Sequence, residues 1–473
     1  MNGTTALLVT LVVYKVLLLG IGAWASRRNR DDTDYYLGGR RLGPWVASIS
    51  AAASSSSAWT LLGVSGKAYA DGMAAIWLLP ACWCGFAINW FLVAPRLRRE
   101  GLRTGAVTLT EYLAHDAPPR WRRALVTLAS LVILGSLMVY VASQFQAAGK
   151  TFAEIAGFDF RAAVLIGGGV VLLYTLAGGF WAVAVTDLIQ GLVMAFTCLL
   201  LPVAGLIALG GPAELIAGLR AAGDAVGRDL FDPWGGAGGA AALGLLVGTF
   251  GIGLGYPGQP HVVNRFLAVR SEEDVRRART ISLVWAALVY SGMILAGWCA
   301  RALLAPLDDP ERALLGLAGV ALPAVAAGVV VAAILSAIMS TADSQLLVCG
   351  STVSYDLPGR TGKPRLMLNR VAVLAVGVGA LVAAMLIPAT IFSTVLFAWS
   401  ALGAAFGPLL LVRLLRGPVR PGYAFASMFS GAAVSVLWYS IPALKSVVYE
   451  IIPAFAIALG IALAGSKRTA RRS

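Results

Sequence analysis

Charge is scarce in this sequence: only 13% of its 473 residues are Asp, Glu, Lys or Arg. Histidine is scarcer, with His115 and His261 alone, and there are five cysteines. Each shortage closes off a class of chemistry. Two histidines leave little room for a metal centre, and no Ser/His/Asp arrangement assembles around them. Cys82, Cys84, Cys198, Cys299 and Cys349 all fall in apolar segments, where a thiol behaves as a small buried hydrophobe. Cys82 and Cys84 alone are too close in sequence for a zinc site. There is no P-loop. The chain is not expected to be an enzyme or to bind a cofactor.

What fills the sequence instead is apolar. Hydrophobic residues make up 59% of the chain and the mean hydropathy is +0.80, outside the range of ordinary globular domains. They come in runs of about 20, the length that crosses a bilayer core as a helix. The runs lie at 5–25, 44–70, 74–97, 122–148, 161–179, 181–209, 238–262, 280–305, 318–347, 369–388, 390–413, 422–441 and 446–465. This predicts an all-α polytopic membrane protein of about 13 spans, forming one transmembrane domain in contact with lipid. The first run contains Lys15 and lacks a small-residue cleavage site, so it reads as a retained helix.

The net charge of +14 carries the topology. Arg27, Arg28 and Arg30, then Arg96, Arg98, Arg99 and Arg103, then Arg120, Arg122 and Arg123, then Arg276, Arg277 and Arg279 occupy alternate loops. Lys467, Arg468, Arg471 and Arg472 close the tail, while Glu214, Asp224, Asp229, Asp232, Asp308, Asp309 and Glu311 occupy the opposite loops. The positive-inside rule then places the N-terminus outside and the C-terminus in the cytoplasm. Arginines scattered over many short loops form no nucleic-acid-binding patch.

Polar residues inside apolar spans are costly and mark function. In the second span, Ser54, Ser55, Ser56 and Ser57 follow three alanines. Serine hydroxyls compete for backbone groups. Unwinding there would bare carbonyl oxygens to a hard cation; a small-residue packing seam is the other reading, and both stand. Asp187 in the sixth span is either a functional carboxylate or one near the interface with access to water. In the ninth span, Ser336, Ser340, Asp343 and Ser344 share one helix face at i, i+4, i+7 and i+8. Such a stripe of oxygens suits sodium. Two prolines and three glycines in 253–260 interrupt the seventh span, five spans after the serine run. Paired breaks in two halves are the sequence pointer to an inverted-repeat transporter.

The motifs Gly38-Gly39-Arg40-Arg41-Leu42-Gly43-Pro44-Trp45, the Ala/Ser run to Trp59, Gly255-Tyr256, Gly258-Gln259-Pro260-His261 with Arg265-Phe266, and Met339-Ser340-Thr341 with Gln345-Leu346-Leu347-Val348-Cys349 resemble the sodium/solute symporter family. Within it the resemblance is strongest to bacterial sodium/proline symporters, which implies a bacterial inner membrane, and it covers about residues 5 to 460. It implies a LeuT-type core of inverted five-helix repeats, at 44–209 and 238–413. A peripheral helix at 5–25 and two at 422–465 would flank them. It implies a sodium site of the Ala53, Ser56 and Ala337 carbonyls with the Ser340 and Thr341 hydroxyls. A second site seen in some members maps to Asp187, Ser340, Asp343 and Ser344, so two-sodium coupling is one expectation. Sodium would be the coupling ion and the only metal. Ser57, Trp59, Tyr140, Gln144, Tyr256 and Trp399 are candidates for the solute pocket, where the N-terminus of a broken half-helix would receive a carboxylate, and Arg40 is a candidate for gating.

The expected function is sodium-coupled symport of a small polar organic solute by alternating access, an amino acid such as proline first. Departures from the resemblance bear on the solute. Ser55 stands where the proline carriers resembled here have an aspartate, Ile252 lies near a usual tryptophan, and Asp343 replaces a hydroxyl. Other readings are a carrier of a small carboxylate or other non-proline solute, proton coupling through Asp187 or Asp343, and a transporter-like sensor.

Overall fold

A computed structural model describes residues 20–21, 32–176, 179–359, 365–387, 390–445 and 447–466. Apart from residues 20 and 21, the expected span 5–25 lies outside them, as do Arg27, Arg28, Arg30 and the basic tail. Helices of eight or more residues are numbered here in chain order. The first half of the chain contributes α1 (Pro44–Ser55), α2 (Val64–Asp71), α3 (Leu78–Ala87), α4 (Ala94–Thr104), α5 (Pro119–Ala156), α6 (Phe160–Leu176), α7 (Phe180–Leu209) and α8 (Pro212–Val226). The second contributes α9 (Ala240–Leu254), α10 (Pro260–Leu267), α11 (Glu272–Leu303), α12 (Ala313–Ala321) and α13 (Ala324–Ser351). Then come α14 (Leu366–Leu386), α15 (Ile391–Arg416), α16 (Pro421–Ser440) and α17 (Ile451–Gly465).

Among the described residues, eight helical stretches are each long and apolar enough to cross a membrane. Their outer surface fits lipid: Leu173, Ile207 and Leu386 remain 73%, 75% and 73% exposed. Cys84 faces outward too, while the other four cysteines are buried. The span boundaries need some correction. Helix α11 begins eight residues before its apolar run, because the Ser271 hydroxyl accepts from Asp274 N at 3.0 Å and acidic residues fill its first turn. Arg276, Arg277 and Arg279 therefore sit on a helical extension. The acidic 210–237 connection, read as loop, contains α8.

Both expected interruptions are present. Helix α1 stops at Ser55, and the chain resumes through a wide turn at Trp59–Gly63 into α2. Ser48 and Ser55 turn their hydroxyls back onto carbonyls of α1, at 2.6 Å to Pro44 and 2.9 Å to Ala52, the competition that ends helices. Helix α9 ends at Leu254, and a single 3-10 turn, Tyr256–Gly258, leads to α10. Pro257 and Pro260 supply no N–H there. This second break packs tightly on α15: a Cβ on Gly258 would lie 2.6 Å from Gly403 Cα. Helix α7 packs on α1, α11 and α13, which brings the first break and the ninth-span oxygens to one place.

Candidate functional site

At its broken end, α1 turns carbonyl oxygens toward α13. The Ser340 hydroxyl lies 3.3 Å from the Ala53 carbonyl and 3.3 Å from that of Ala337. The Thr341 hydroxyl lies 3.5 Å from Ala53 O and 3.2 Å from Ser54 O. Ala53, Ala337, Ser340 and Thr341 are thus gathered, fully buried, into one nest of oxygens. Ser56 caps α1, its N–H shared by the Ala52 and Ala53 carbonyls. The carbonyl facing Thr341 beside Ala53 is that of Ser54.

One helix turn along α13, a charged cluster follows. Asp187 Oδ2 accepts from Ser50 at 2.8 Å, from Ser54 at 3.2 Å, and from the Arg265 guanidinium at 2.7 Å. Arg265 also donates to Ser50 at 2.6 Å, to Ser344 at 2.6 Å and to the His261 carbonyl. Ser344 contacts Ser54 at 3.0 Å and Asp343 Oδ1 at 3.4 Å. Asp187, Asp343 and Ser344 are therefore brought together, with Ser340 one turn away. They are joined by an arginine that the sequence reading did not assign to the site. That reading ended the seventh span at residue 262, which put Arg265 outside the membrane. The signal was a charged residue four positions after His261, on a short helix restarting at Pro260.

The solute candidates divide. Trp59, Tyr140, Tyr256 and Trp399, with Ser55, Ile252, Val395 and Leu396, line a small space of about 10 Å³. The Tyr256 and Trp399 rings meet edge-on at 4.7 Å, and Trp399 Nε1 donates to Ile252 O at 3.0 Å. Ser57 and Gln144 stand behind this wall. Gln144 Oε1 accepts the Ala58 N–H at 3.0 Å, and Ser57 Oγ accepts the Trp59 N–H at 3.1 Å. The Ala58 and Trp59 amides, at the N-terminus of the helix that resumes after the first break, therefore already have partners. The buried Trp59 Nε1 has none among the described residues.

The two ends of the bundle differ. At the acidic end, a cavity of about 790 Å³ between Lys67, Asp71, Tyr439, Lys445 and Glu450 runs down to Ile252 and Leu396, which also wall the small aromatic-lined space. Beside it, Lys150 pairs with Asp309 at 2.7 Å and Glu311 at 2.5 Å. Glu311 in turn accepts the first N–H groups of α15, from Ile391 at 3.1 Å and Phe392 at 2.8 Å. At the basic end, Arg40 reaches three carbonyls: Leu267 at 3.0 Å, Gly101 at 3.3 Å and Ala106 at 2.7 Å. It is the one non-glycine residue with positive φ (55°) among those described, a conformation that costs about 1–2 kcal/mol.

The chain as a whole is similar to known proteins. The family model described as the sodium:solute symporter family matches residues 35–431. The high-affinity proline transporter PutP of Bacillus subtilis is 36% identical over 453 residues, 93% of this chain and 94% of that protein. The sodium/proline symporter of Escherichia coli K12 is 34% identical over 469 residues, 96% and 91% of the two chains. Among solved structures, the substrate-bound outward-open state of a Na+-coupled sialic acid symporter superposes with a TM-score of 0.78 at 19% identity, covering 98% and 99%. Mhp1, a nucleobase-cation-symport-1 family transporter in a closed conformation with bromovinylhydantoin bound, gives 0.54 at 13% identity, covering 92% and 96%. The fold is therefore the LeuT type, as expected.

Proposed function

We propose a function for this chain from one premise: it belongs to the sodium:solute symporter family. It is a Na+-coupled solute symporter in a multi-pass membrane fold, with no cofactor and no enzymatic step. The solute proposed is a compact amino acid, proline first, taken up by alternating access. Its relatives among bacterial proline transporters support this, and so does the aromatic lining of Trp59, Tyr140, Tyr256 and Trp399 around one small space. Trp59 Nε1, a buried donor without a partner among the described residues, would meet the solute carboxylate. A second reading rests on Ser55, which lines the same space. With no carboxylate there to balance an ammonium, a small carboxylate is the alternative solute.

The observation that carries the ion assignment is the meeting of the Ala53 carbonyl with the Ser340 and Thr341 hydroxyls across α1 and α13. Sodium held there by Ala53, Ser56 and Ala337 carbonyls and both hydroxyls would turn two hydroxyl–carbonyl hydrogen bonds into ion–oxygen contacts. That ties the broken end of α1 to α13. Coupling follows if the tie favours the state that binds solute, since an ion shifts a conformational equilibrium only by its difference in affinity between states.

The two repeats would be 44–209 and 238–413, flanked by 5–25 and 422–465. The basic loops would face the cytoplasm of a bacterium, with the N-terminus outside. Arg40 would then close the inner end by holding α10 to α4. Uptake in proteoliposomes, compared under sodium and proton gradients with a panel of amino acids and small carboxylates, tests the proposal. Proline uptake driven by sodium supports it; sodium-driven uptake of carboxylates alone favours the second reading.

A further inference from the structure

A separate cavity of about 490 Å³ opens at the basic end and shares no residue with the oxygen nest or the aromatic-lined space. Arg122, Arg123, Val126 and Thr127 of α5 form one wall, and Leu357 and Pro358, beyond the end of α13, form the other. Glu111 and Asp356 also line it. The two signs of charge are held differently. Both arginines are exposed, and among the described residues neither guanidinium has an ion-pair or hydrogen-bond partner. The carboxylates are tied into the protein. Glu111 accepts from Val107 N at 2.8 Å and from the Tyr355 hydroxyl at 3.0 Å, and Asp356 Oδ1 accepts from the Thr108 hydroxyl at 2.6 Å. An ionised carboxylate has about four acceptor sites, so Asp356 keeps capacity for a further donor.

The cavity continues onto the lipid-facing surface. Arg123, Thr127, Leu131 and Gly135 are all exposed and follow one stripe along α5 at i, i+4, i+8 and i+12. Leu131 is 66% exposed, and no atom stands within 4 Å of where a Cβ on Gly135 would lie. Leu357 is exposed on the opposite wall. Trp121, one residue before the arginine pair, is exposed as well and meets Phe425 edge-on at 6.2 Å, as suits an aromatic at the membrane–water interface.

We propose that this cavity binds a phospholipid whose headgroup carries a primary ammonium, phosphatidylethanolamine being the type. Its phosphate sits on Arg122 and Arg123, its ammonium on Asp356 beside Glu111, and an acyl chain along Thr127, Leu131 and Gly135. Guanidinium groups match phosphate with paired N–H donors. A primary ammonium brings three N–H donors to the carboxylates, whereas a choline group brings none. A purely anionic headgroup satisfies the arginines but sets a further negative charge beside two carboxylates. The inference needs only the membrane fold and is independent of the ion and the solute.

Native mass spectrometry of the purified full chain, titrated in detergent with dioleoyl phosphatidylethanolamine, phosphatidylcholine or phosphatidylglycerol, tests it. Wild type is expected to bind phosphatidylethanolamine at least tenfold more tightly than the other two. R122Q/R123Q should weaken that binding at least tenfold, since each basic residue near a lipid phosphate contributes about fivefold. Asp356→Asn keeps an acceptor for Thr108 and should bring phosphatidylethanolamine down to the level of phosphatidylcholine. R276Q/R277Q removes the same charge from exposed pairs with Glu273 and should bind as wild type does. Arginines that merely orient the chain predict none of these differences. Melting in detergent alone shows which variants are folded, and the arginine pairs carry the test if Asp356→Asn is not. O-phosphoethanolamine, the headgroup without its chains, should not displace the lipid at equal concentration. Phosphatidylglycerol binding as tightly as phosphatidylethanolamine, equal losses in the two arginine pairs, a folded Asp356→Asn that still prefers phosphatidylethanolamine, or displacement by O-phosphoethanolamine would overturn the proposal.

Discussion

The guanidinium of Arg265 lies 2.7 Å from the carboxylate of Asp187, and neither side chain has appreciable contact with solvent. The arginine comes from the helix after the second break and the carboxylate from α7, so the pair fastens one element to the other. Ser50 and Ser54 of α1 and Ser344 of α13 complete the knot.

Asp187→Asn removes one partner and leaves the other buried. A broken buried pair costs about 3–5 kcal/mol, far more than the pair contributes. Thermal melting of the purified variant should show a large loss of stability. R265Q/D187N, which removes both charges, should recover much of it. If Asp187→Asn melts with wild type, the pair does not bear on folding.

Gln144 was expected to line the solute space, and instead it satisfies the Ala58 amide at the first break. Gln144→Ala leaves that N–H without its acceptor, a cost of about 1–3 kcal/mol. The break itself should loosen, weakening solute affinity more than the maximal rate. A solute titration of uptake showing a changed rate at constant half-saturation would contradict this.

Arg40 ties Leu267, Gly101 and Ala106 at the basic end. Arg40→Ala should open that end. A cysteine placed at Ser351, which lines the small cavity beside Arg265, should then react faster with a thiol reagent added from the basic side. Equal labelling with and without Arg40 would remove it from the gate.

Glu311 caps α15 while paired to Lys150. Glu311→Gln keeps the shape but loses the charge at a helix N-terminus, where a carboxylate contributes about 0.3–1 kcal/mol, or about 2 when partly buried. The melting temperature should drop modestly, and Lys150→Met in the same background should add little further.

The fold was legible where physics acts on single segments. Apolar runs marked the spans because hydrocarbon thickness sets their length, and the Ser54–Ser57 run and the 253–260 proline and glycine cluster marked both breaks. The stripe of Ser340, Asp343 and Ser344 was readable from helical spacing alone. What stayed hidden depended on partners far along the chain. Gln144 looked like a pocket residue because nothing local reveals that Ala58 lacks a partner. Arg265 looked like a loop residue because α10 resumes after a break that hydropathy cannot see across. Glu311 looked like a topology charge, and its role as a cap for α15, 80 residues later, exists only in the packed structure.

The proposed sodium nest between α1 and α13 is tested most directly by solute uptake into proteoliposomes under an inward sodium gradient at equal pH, for wild type and Thr341→Ala. The account predicts sodium-driven uptake in wild type. In Thr341→Ala, half-saturation should need at least tenfold more sodium, with the protein still folded. Uptake that follows a proton gradient without sodium, or a sodium dependence unchanged by the loss of the Thr341 hydroxyl, would contradict it.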